Sequence, residues 1–351
     1  MKAAVTTGEL RQISVEEVPR PEVKEGFLLL KTNACSICGT DLEYLDNSLA
    51  YRPGGALKPG AILGHEFCAE VVEVGAGVED WQVGDRATMS GFRPTCGECY
   101  FCRRRLNHLC HGKGGERGIY TQHSATGYGG RTGALAEYIL RPPSALLRIP
   151  DQISDEEAAL VEPLNVSAGG VQIAETEPGD TMVIIGAGKI GLGALLVAKA
   201  SGVAPVIVVD VHRNRLDKAL EMGADIVLNA KEQDVIEEVT KVTIAGPDVV
   251  LICVRDGEVF NESVDMVRRG GKIVVVGQIP PTEVNPGMWI PKQLKIYGLF
   301  RQTPMIHSLN LIAKGLVDLK PMITEKMPLT EVQRGFDDMW SGKNIVSVIQ
   351  P

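Results

Sequence analysis

The sequence predicts an α/β chain: a β-rich N-terminal part followed by a doubly wound parallel sheet. Three observations predict it. The first 150 residues carry short apolar or alternating runs separated by glycine turns. Beyond residue 178, apolar strands alternate with helical periods. A glycine-rich turn joins the first of these strands to the first of these helices. Period-2 runs with frequent turns indicate a barrel or sandwich, whereas alternating β and α units with wholly apolar strands indicate a parallel sheet covered on both faces.

In the N-terminal part, residues 27–31 and 70–74 read as strands, punctuated by Gly75-Ala76-Gly77 and Val83-Gly84-Asp85. Ser154 followed by Glu157 forms a capping box before Ala158, Ala159 and Leu160, so a helix starts there. Pro163 is expected to interrupt or end it, with helical pattern resuming over 164–174. After Pro178-Gly179-Asp180, strands are predicted at 181–185, 206–210, 226–228, 249–254 and 272–276. Helices are predicted at 190–201 and at 213–222, where Gly223 stops the second. Past residue 298 two further helices, 308–314 and 331–339, precede a last strand at 345–349. No repeat or low-complexity tract is visible.

A chain of 351 residues exceeds one ordinary core and implies two domains. Hydrophobic content of 44% describes a globular protein, as does a mean hydropathy near zero. The start, Met1-Lys2-Ala3-Ala4-Val5, lacks the pattern of a secretory leader, and the apolar runs are too short to span a bilayer. A net charge of -8 argues against nucleic acid or an anionic membrane as partner. Arg103-Arg104-Arg105 is the densest basic patch and reads as a solvated face. Eight cysteines, explicable as metal ligands or buried thiols, fit a reducing compartment, so the expected location is the cytoplasm.

Four of those cysteines, Cys96, Cys99, Cys102 and Cys110, are spaced C-x2-C-x2-C-x7-C. Thiolates at every third residue, with a fourth after a short loop, converge on one tetrahedral ion, and zinc is the usual occupant. The competing reading is an iron–sulfur cluster, but ferredoxin runs close with a three-residue gap and a proline. Here the final gap is seven residues and His111 follows Cys110. A four-sulfur shell leaves no position for a substrate, so the expected role is structural.

Gly186-Ala187-Gly188-Lys189-Ile190-Gly191 matches G-x-G-x-x-G between a predicted strand and a predicted helix, the context that gives this short pattern meaning. The glycines permit a tight turn and close backbone approach, so a dinucleotide pyrophosphate can rest on the helix N-terminus. Asp210 ends the next predicted strand, where a carboxylate accepts hydrogen bonds from an adenosine ribose and repels a 2′-phosphate, favouring NAD over NADP. Gly186, Gly188, Ile190, Gly191, Asp210 and the nearby Arg215 are the candidate cofactor contacts, and Arg213 and Arg215 temper the discrimination.

A quieter set completes the pattern: Cys38 in Cys38-Gly39-Thr40-Asp41, His65-Glu66 after Gly64, and Glu162 before Pro163-Leu164. None is specific alone. Taken in order with the four-cysteine lobe and the glycine fingerprint, they make the whole chain resemble the zinc-dependent medium-chain dehydrogenases/reductases, in the branch of sorbitol, threonine and butanediol dehydrogenases. That resemblance implies a GroES-like catalytic domain over 1–155 with the structural zinc lobe, a Rossmann NAD-binding domain over 156–298, and a return to the catalytic domain over 299–351. It also implies a second, catalytic zinc in the cleft between the domains, giving two zinc ions per chain. Cys38 and His65 match the ligand positions, with Glu66 and Glu162 as alternating or water-mediated carboxylate partners. The better-known alcohol dehydrogenases have a cysteine where Glu162 stands.

The activity implied is transfer of a hydride from a secondary, polyol-like alcohol to NAD, giving a ketone, with zinc lowering the pKa of the substrate hydroxyl. An amino alcohol of threonine type is the alternative substrate, since the ligand set is shared. A zinc-stapled binding protein would leave Cys38, His65 and Glu162 without a role. Thr40 matches the hydroxyl that begins the family's proton relay, which commonly ends in a histidine three residues on; this chain has Glu43 there. A carboxylate with an ordinary pKa of about 4.3 is a poorer donor at pH 7 unless burial raises it. Tyr44 and Phe300-Arg301 match positions bordering the substrate cleft. Cys35, Cys68 and Cys253 read as core thiols, and His108, His111 and His123 as local hydrogen-bonding groups. Homodimers or homotetramers built through the Rossmann sheet are what the family implies.

Overall fold

The computed structural model describes residues 1–50, 55–90, 96–106, 109–110, 133–299 and 304–351. The chain begins with strands β1 (Lys2–Thr6), β2 (Ile13–Glu17) and β3 (Leu28–Ser36), then helix α1 (Gly39–Leu45). Strands β4 (Glu66–Val74) and β5 (Arg86–Met89), helix α2 (Tyr100–Arg103), strands β6 (Tyr138–Arg141) and β7 (Leu146–Arg148), and helices α3 (Asp155–Ala159) and α4 (Val161–Ile173) follow. Next come β8 (Met182–Ile185), α5 (Lys189–Ala200), β9 (Val206–Asp210), α6 (Arg213–Glu221), β10 (Ile226–Asn229), α7 (Val235–Val242) and β11 (Val249–Ile252). Then α8 (Glu258–Met266), β12 (Lys272–Val275), α9 (Trp289–Lys292), β13 (Lys295–Gly298), α10 (Met305–Ala313), β14 (Glu325–Pro328), α11 (Val332–Trp340) and β15 (Ser347–Gln350) complete it. The chain divides into two compact units, Met1–Glu162 with Ile323–Pro351, and Pro163–Met322.

The first unit is built on a seven-stranded sheet in the order β14-β15-β3-β4-β5-β7, with β6 also pairing β3. β3 is its hub. Leu28–Lys31 pair antiparallel with β6, while Cys35 and Ser36 pair with Ile349 and Val348 of β15. β3 has paired neighbours along both edges, and its side chains are largely buried on both faces, in keeping with its nearly continuous apolar run. β4 runs antiparallel to β3, and its first residue, Glu66, lies opposite Ser36. The end of one strand and the start of the other are thereby placed side by side.

The second unit is a six-stranded, wholly parallel sheet in the order β10-β9-β8-β11-β12-β13. This is the doubly wound Rossmann arrangement, with the topological switch between β9 and β11 on either side of β8. β8, β9 and β11 are buried at every position. Val183, Ile207, Val250 and Ile273 form one core with Phe260, Val264 and Met266 of α8. The Cα atoms of Ile185 and Val209 are register partners, so the loop after β8 and the end of β9 emerge together.

One expectation is corrected. The helix break falls at Leu160, and Pro163 is the third residue of α4. In the first turn of a helix the missing N–H has no partner to lose, so proline is tolerated there. The strands and helices at α7, α8, β13 and β14 have no counterpart in the sequence reading. α7 and α8 are rich in β-branched, Asn and Ser residues of low helix propensity, and packing against the sheet decides their state. No described helix is long and apolar enough to cross a membrane.

Candidate active site and its two cysteine clusters

The four-cysteine lobe closes on itself. The ligand atoms of Cys96, Cys99, Cys102 and Cys110 all lie within 4.8 Å of one another. Sγ–Sγ separations are 3.9 Å for Cys96–Cys102, 3.9 Å for Cys99–Cys110 and 3.6 Å for Cys96–Cys110. A tetrahedron with Zn–S bonds of about 2.3 Å has edges of about 3.8 Å. A disulfide needs about 2.05 Å, so these sulfurs are spaced for a shared ion and not for bonding to each other. Backbone amides turn inward as well: Cys96 N–H donates to Cys110 Sγ at 3.4 Å, Cys99 N–H to Cys96 Sγ at 3.3 Å, and Cys102 N–H to Cys99 Sγ at 3.5 Å. Such donors stabilise thiolate charge, and the set fits zinc.

A second cluster forms where β3 and β4 meet. Cys38 lies just beyond the end of β3 and caps α1, while His65 immediately precedes β4 and Glu66 opens it. Their ligand atoms are mutually within 4.8 Å. Gly64 makes the approach possible: its φ is +93°, and a Cβ there would sit 2.8 Å from both Cys35 Sγ and Leu135 N. His65 and Glu66 are buried, and Thr40 Oγ1 donates to Cys38 Sγ at 3.1 Å. Sulfur, imidazole and carboxylate at three corners suit a catalytic zinc site, which keeps its fourth position for water or substrate.

Asp41 was not singled out by sequence reasoning, yet it organises this cluster. Fully buried, it accepts the Cys38 N–H on Oδ2 at 3.0 Å, and its Oδ1 lies 3.7 Å from His65 Nδ1. A carboxylate facing Nδ1 would leave Nε2 to serve as the ligand to a zinc held here, the usual outer-shell arrangement of a ligating histidine. The signal available was its place in Cys38-Gly39-Thr40-Asp41.

Glu162 is buried in the first turn of α4 and is not a member of the three-residue cluster. Glu43 and Tyr44 are buried on α1, Tyr44 completely. Phe300, Arg301, His108, His111 and His123 lie outside the described residues. Cys253 is a half-buried thiol in which partial removal from solvent pushes the pKa up to about 12, so it stays neutral. Cys68 is also raised, first by burial and then by its neighbour Asp155.

Asp155 gathers a second network that sequence reasoning missed. It accepts Asn33 Nδ2 at 3.1 Å, Cys68 Sγ at 3.1 Å, and Arg86 Nε and Nη2 at 2.9 and 2.6 Å. One carboxylate thus ties α3 to β3, β4 and β5. Burial alone would raise its pKa; hydrogen bonds from Cys68 and Arg86, the Arg86 charge and Asn33 outweigh this and hold it below the usual carboxylate range.

In the second unit the glycine turn follows β8. Gly186 has φ +103°, and a Cβ there would meet Val254 Cγ1 at 2.6 Å. A Cβ on Gly191 would lie 1.8 Å from Gly186 O, so helix and turn touch backbone to backbone. A Cβ on Gly188 would meet nothing within 4 Å. The turn therefore has open space before it at the N-terminus of α5, where Ile190 also lies, and this fits a dinucleotide pyrophosphate. Asp210 is buried at the end of β9, and Arg215 Nη1 lies 3.8 Å from its Oδ2.

Known proteins agree with this architecture. Residues 24–151 match the alcohol dehydrogenase GroES-like domain and residues 190–314 the zinc-binding dehydrogenase domain. The chain belongs to the zinc-dependent medium-chain dehydrogenases/reductases and is an oxidoreductase of their alcohol and polyol class, using zinc and a nicotinamide cofactor. It is similar to sorbitol dehydrogenase of Bacillus subtilis (strain 168), with 34% identity over 98% of this chain and 95% of that one. It is likewise 35% identical to L-threonine 3-dehydrogenase of Pseudoalteromonas translucida over 95% of this chain and 94% of that one. A Sinorhizobium meliloti 1021 protein described as a zinc-binding dehydrogenase, solved with NADP bound, superposes with a TM-score of 0.86 at 29% identity, covering 100% of both chains.

Proposed function

We propose that the protein oxidises a secondary, polyol-like alcohol to the ketone with NAD, reversibly. The observation that carries this reading is the convergence of Cys38, His65 and Glu66 at the junction of β3 and β4. In this reading the unit 1–162 with 323–351 performs the chemistry, and the unit 163–322 holds the dinucleotide.

Bound at Cys38, His65 and Glu66, with Glu162 as exchanging partner, zinc supplies a Lewis acid for the substrate hydroxyl, and the nicotinamide supplies the hydride acceptor. Thr40 Oγ1 donates to Cys38 Sγ in this structure; in the reaction its hydroxyl would turn from the sulfur, accept the substrate's hydroxyl proton on a lone pair and hand its own proton to Glu43. Glu43, one turn further along α1, is the group that passes the proton on. Tyr44 and Arg301 are assigned to the substrate side. Gly186, Gly188, Ile190 and Gly191 face the pyrophosphate, and Asp210 with Arg215 faces the adenosine ribose. Cys96, Cys99, Cys102 and Cys110 hold the second zinc. The expected setting is a cytoplasmic homodimer or homotetramer.

A second reading, oxidation of a threonine-like amino alcohol, is favoured by the 35% identity to a threonine dehydrogenase. The test is NAD reduction across polyols, hydroxy acids, sugar phosphates and amino alcohols. The polyol reading predicts the highest kcat/KM among polyols and simple diols. A clear preference for threonine would replace it, and absence of dinucleotide reduction with every alcohol would remove both.

A further inference from the structure

Asp210 has two possible duties, and its hydrogen bonds separate them. Its Oδ1 accepts the N–H groups of Val211 and His212 at 2.7 and 2.8 Å, and its Oδ2 accepts the N–H of Ala187 at 2.7 Å. A carboxylate has about four lone-pair directions, so three backbone amides leave about one for a ribose hydroxyl. Most of the bonding capacity of this carboxylate serves the protein itself. The donor Ala187 is the residue between the first two glycines of the fingerprint. Gly186 N–H donates to Val209 O at 2.7 Å, so two consecutive amides of the turn are held by two consecutive residues at the end of β9.

We propose that Asp210 is a positioning residue for the phosphate-binding turn, acting through the Ala187 amide independently of any ribose contact. Charge-assisted bonds of this kind are among the stronger hydrogen bonds in proteins, and this one spans two strand ends that nothing covalent connects locally. Cofactor preference and turn geometry thus share one carboxylate. Removing it loosens a turn that NAD and NADP would share, so both dinucleotides lose affinity through the turn, separately from any change at the ribose. The inference rests on the dinucleotide reading above and deepens it.

The test combines amide exchange with dissociation constants on the full chain. In ligand-free Asp210→Ala, exchange at Ala187 should accelerate at least about tenfold, the scale of one hydrogen bond to a charged acceptor, while β8 and β11 keep their protection. The Kd of a nicotinamide dinucleotide analogue lacking the adenosine 2′- and 3′-hydroxyls should rise by about the same factor. A contact with ribose alone would leave that analogue's Kd unmoved by the substitution, and this result would overturn the proposal; so would unchanged exchange at Ala187. If Asp210→Ala does not fold, the same two readings are taken on Asp210→Asn, which keeps one acceptor oxygen. Failure of the wild-type chain to bind any dinucleotide would overturn the dinucleotide reading and the proposal together, whereas wild-type binding with an insensitive analogue overturns the proposal alone.

Discussion

The lobe of Cys96, Cys99, Cys102 and Cys110 and the cluster of Cys38, His65 and Glu66 are both metal-ligand constellations, but they are assembled differently. The lobe draws its four sulfurs from one short stretch, and even their nearest hydrogen-bond donors are backbone amides of that stretch. All four cysteines are partly exposed. The second cluster depends on strand register: Ser36 lies opposite Glu66, Gly64 lets the chain pass Cys35, and Asp41 reaches from α1 toward His65. A closed shell needs only chain spacing, whereas an open one must be held in place by the surrounding fold, because an unfilled position cannot organise itself.

The sharpest way to break this distinction is His65→Ala. Turnover should fall by several orders of magnitude, while thermal stability and dinucleotide binding change little; retained turnover would remove the cluster from the chemistry. Cys102→Ser should act in the opposite sense. Elemental analysis should show one zinc fewer, and Tm should drop by about 3 °C or more, roughly what 2 kcal/mol does for a chain of this size. Turnover per folded molecule should survive, and its complete loss would show that the lobe is not merely structural.

Asp41→Asn probes whether the register alone suffices. Outer-shell substitutions typically cost about 10–100-fold in metal affinity or activity. Chelator competition should show loss of that size at one zinc only; equal loss at both would point to general unfolding. The smallest effect concerns Asp155, whose network joins α3 to the sheet beneath the cluster. Its folded pKa lies below its unfolded value of about 3.9. Its stabilisation is therefore present above that pH and lost as pH falls through the folded pKa. Since the side chain is about one-third exposed, about 1 kcal/mol is the ceiling. Denaturant titrations at pH 7 and below pH 4 should differ less for Asp155→Asn than for the wild type; an equal difference would remove Asp155 from the acid response.

Much of the molecule was legible before any coordinates. The apolar runs of β8, β9 and β11 required burial on both faces, and a strand, glycine turn and helix in succession required a nucleotide-type fold. The cysteine spacing indicated one ion. What eluded the sequence were features whose cause is distant in the chain: α7 and α8, helices that packing imposes on poor helix formers; Pro163, which its place in a first turn makes harmless; and the Asn33–Cys68–Arg86–Asp155 network.

By itself, then, the sequence determined the alternation of elements, the closed metal lobe and the glycine turn, because each depends on periodicity or spacing within a few residues. Only the tertiary structure decided that Asp41 faces His65, that Asp155 ties three strands to a helix, and that Asp210 holds the amide of Ala187. Those contacts arise from the register of strands far apart in the chain, and a side chain's partner across such a register is set by packing and hydrogen bonding of the whole sheet.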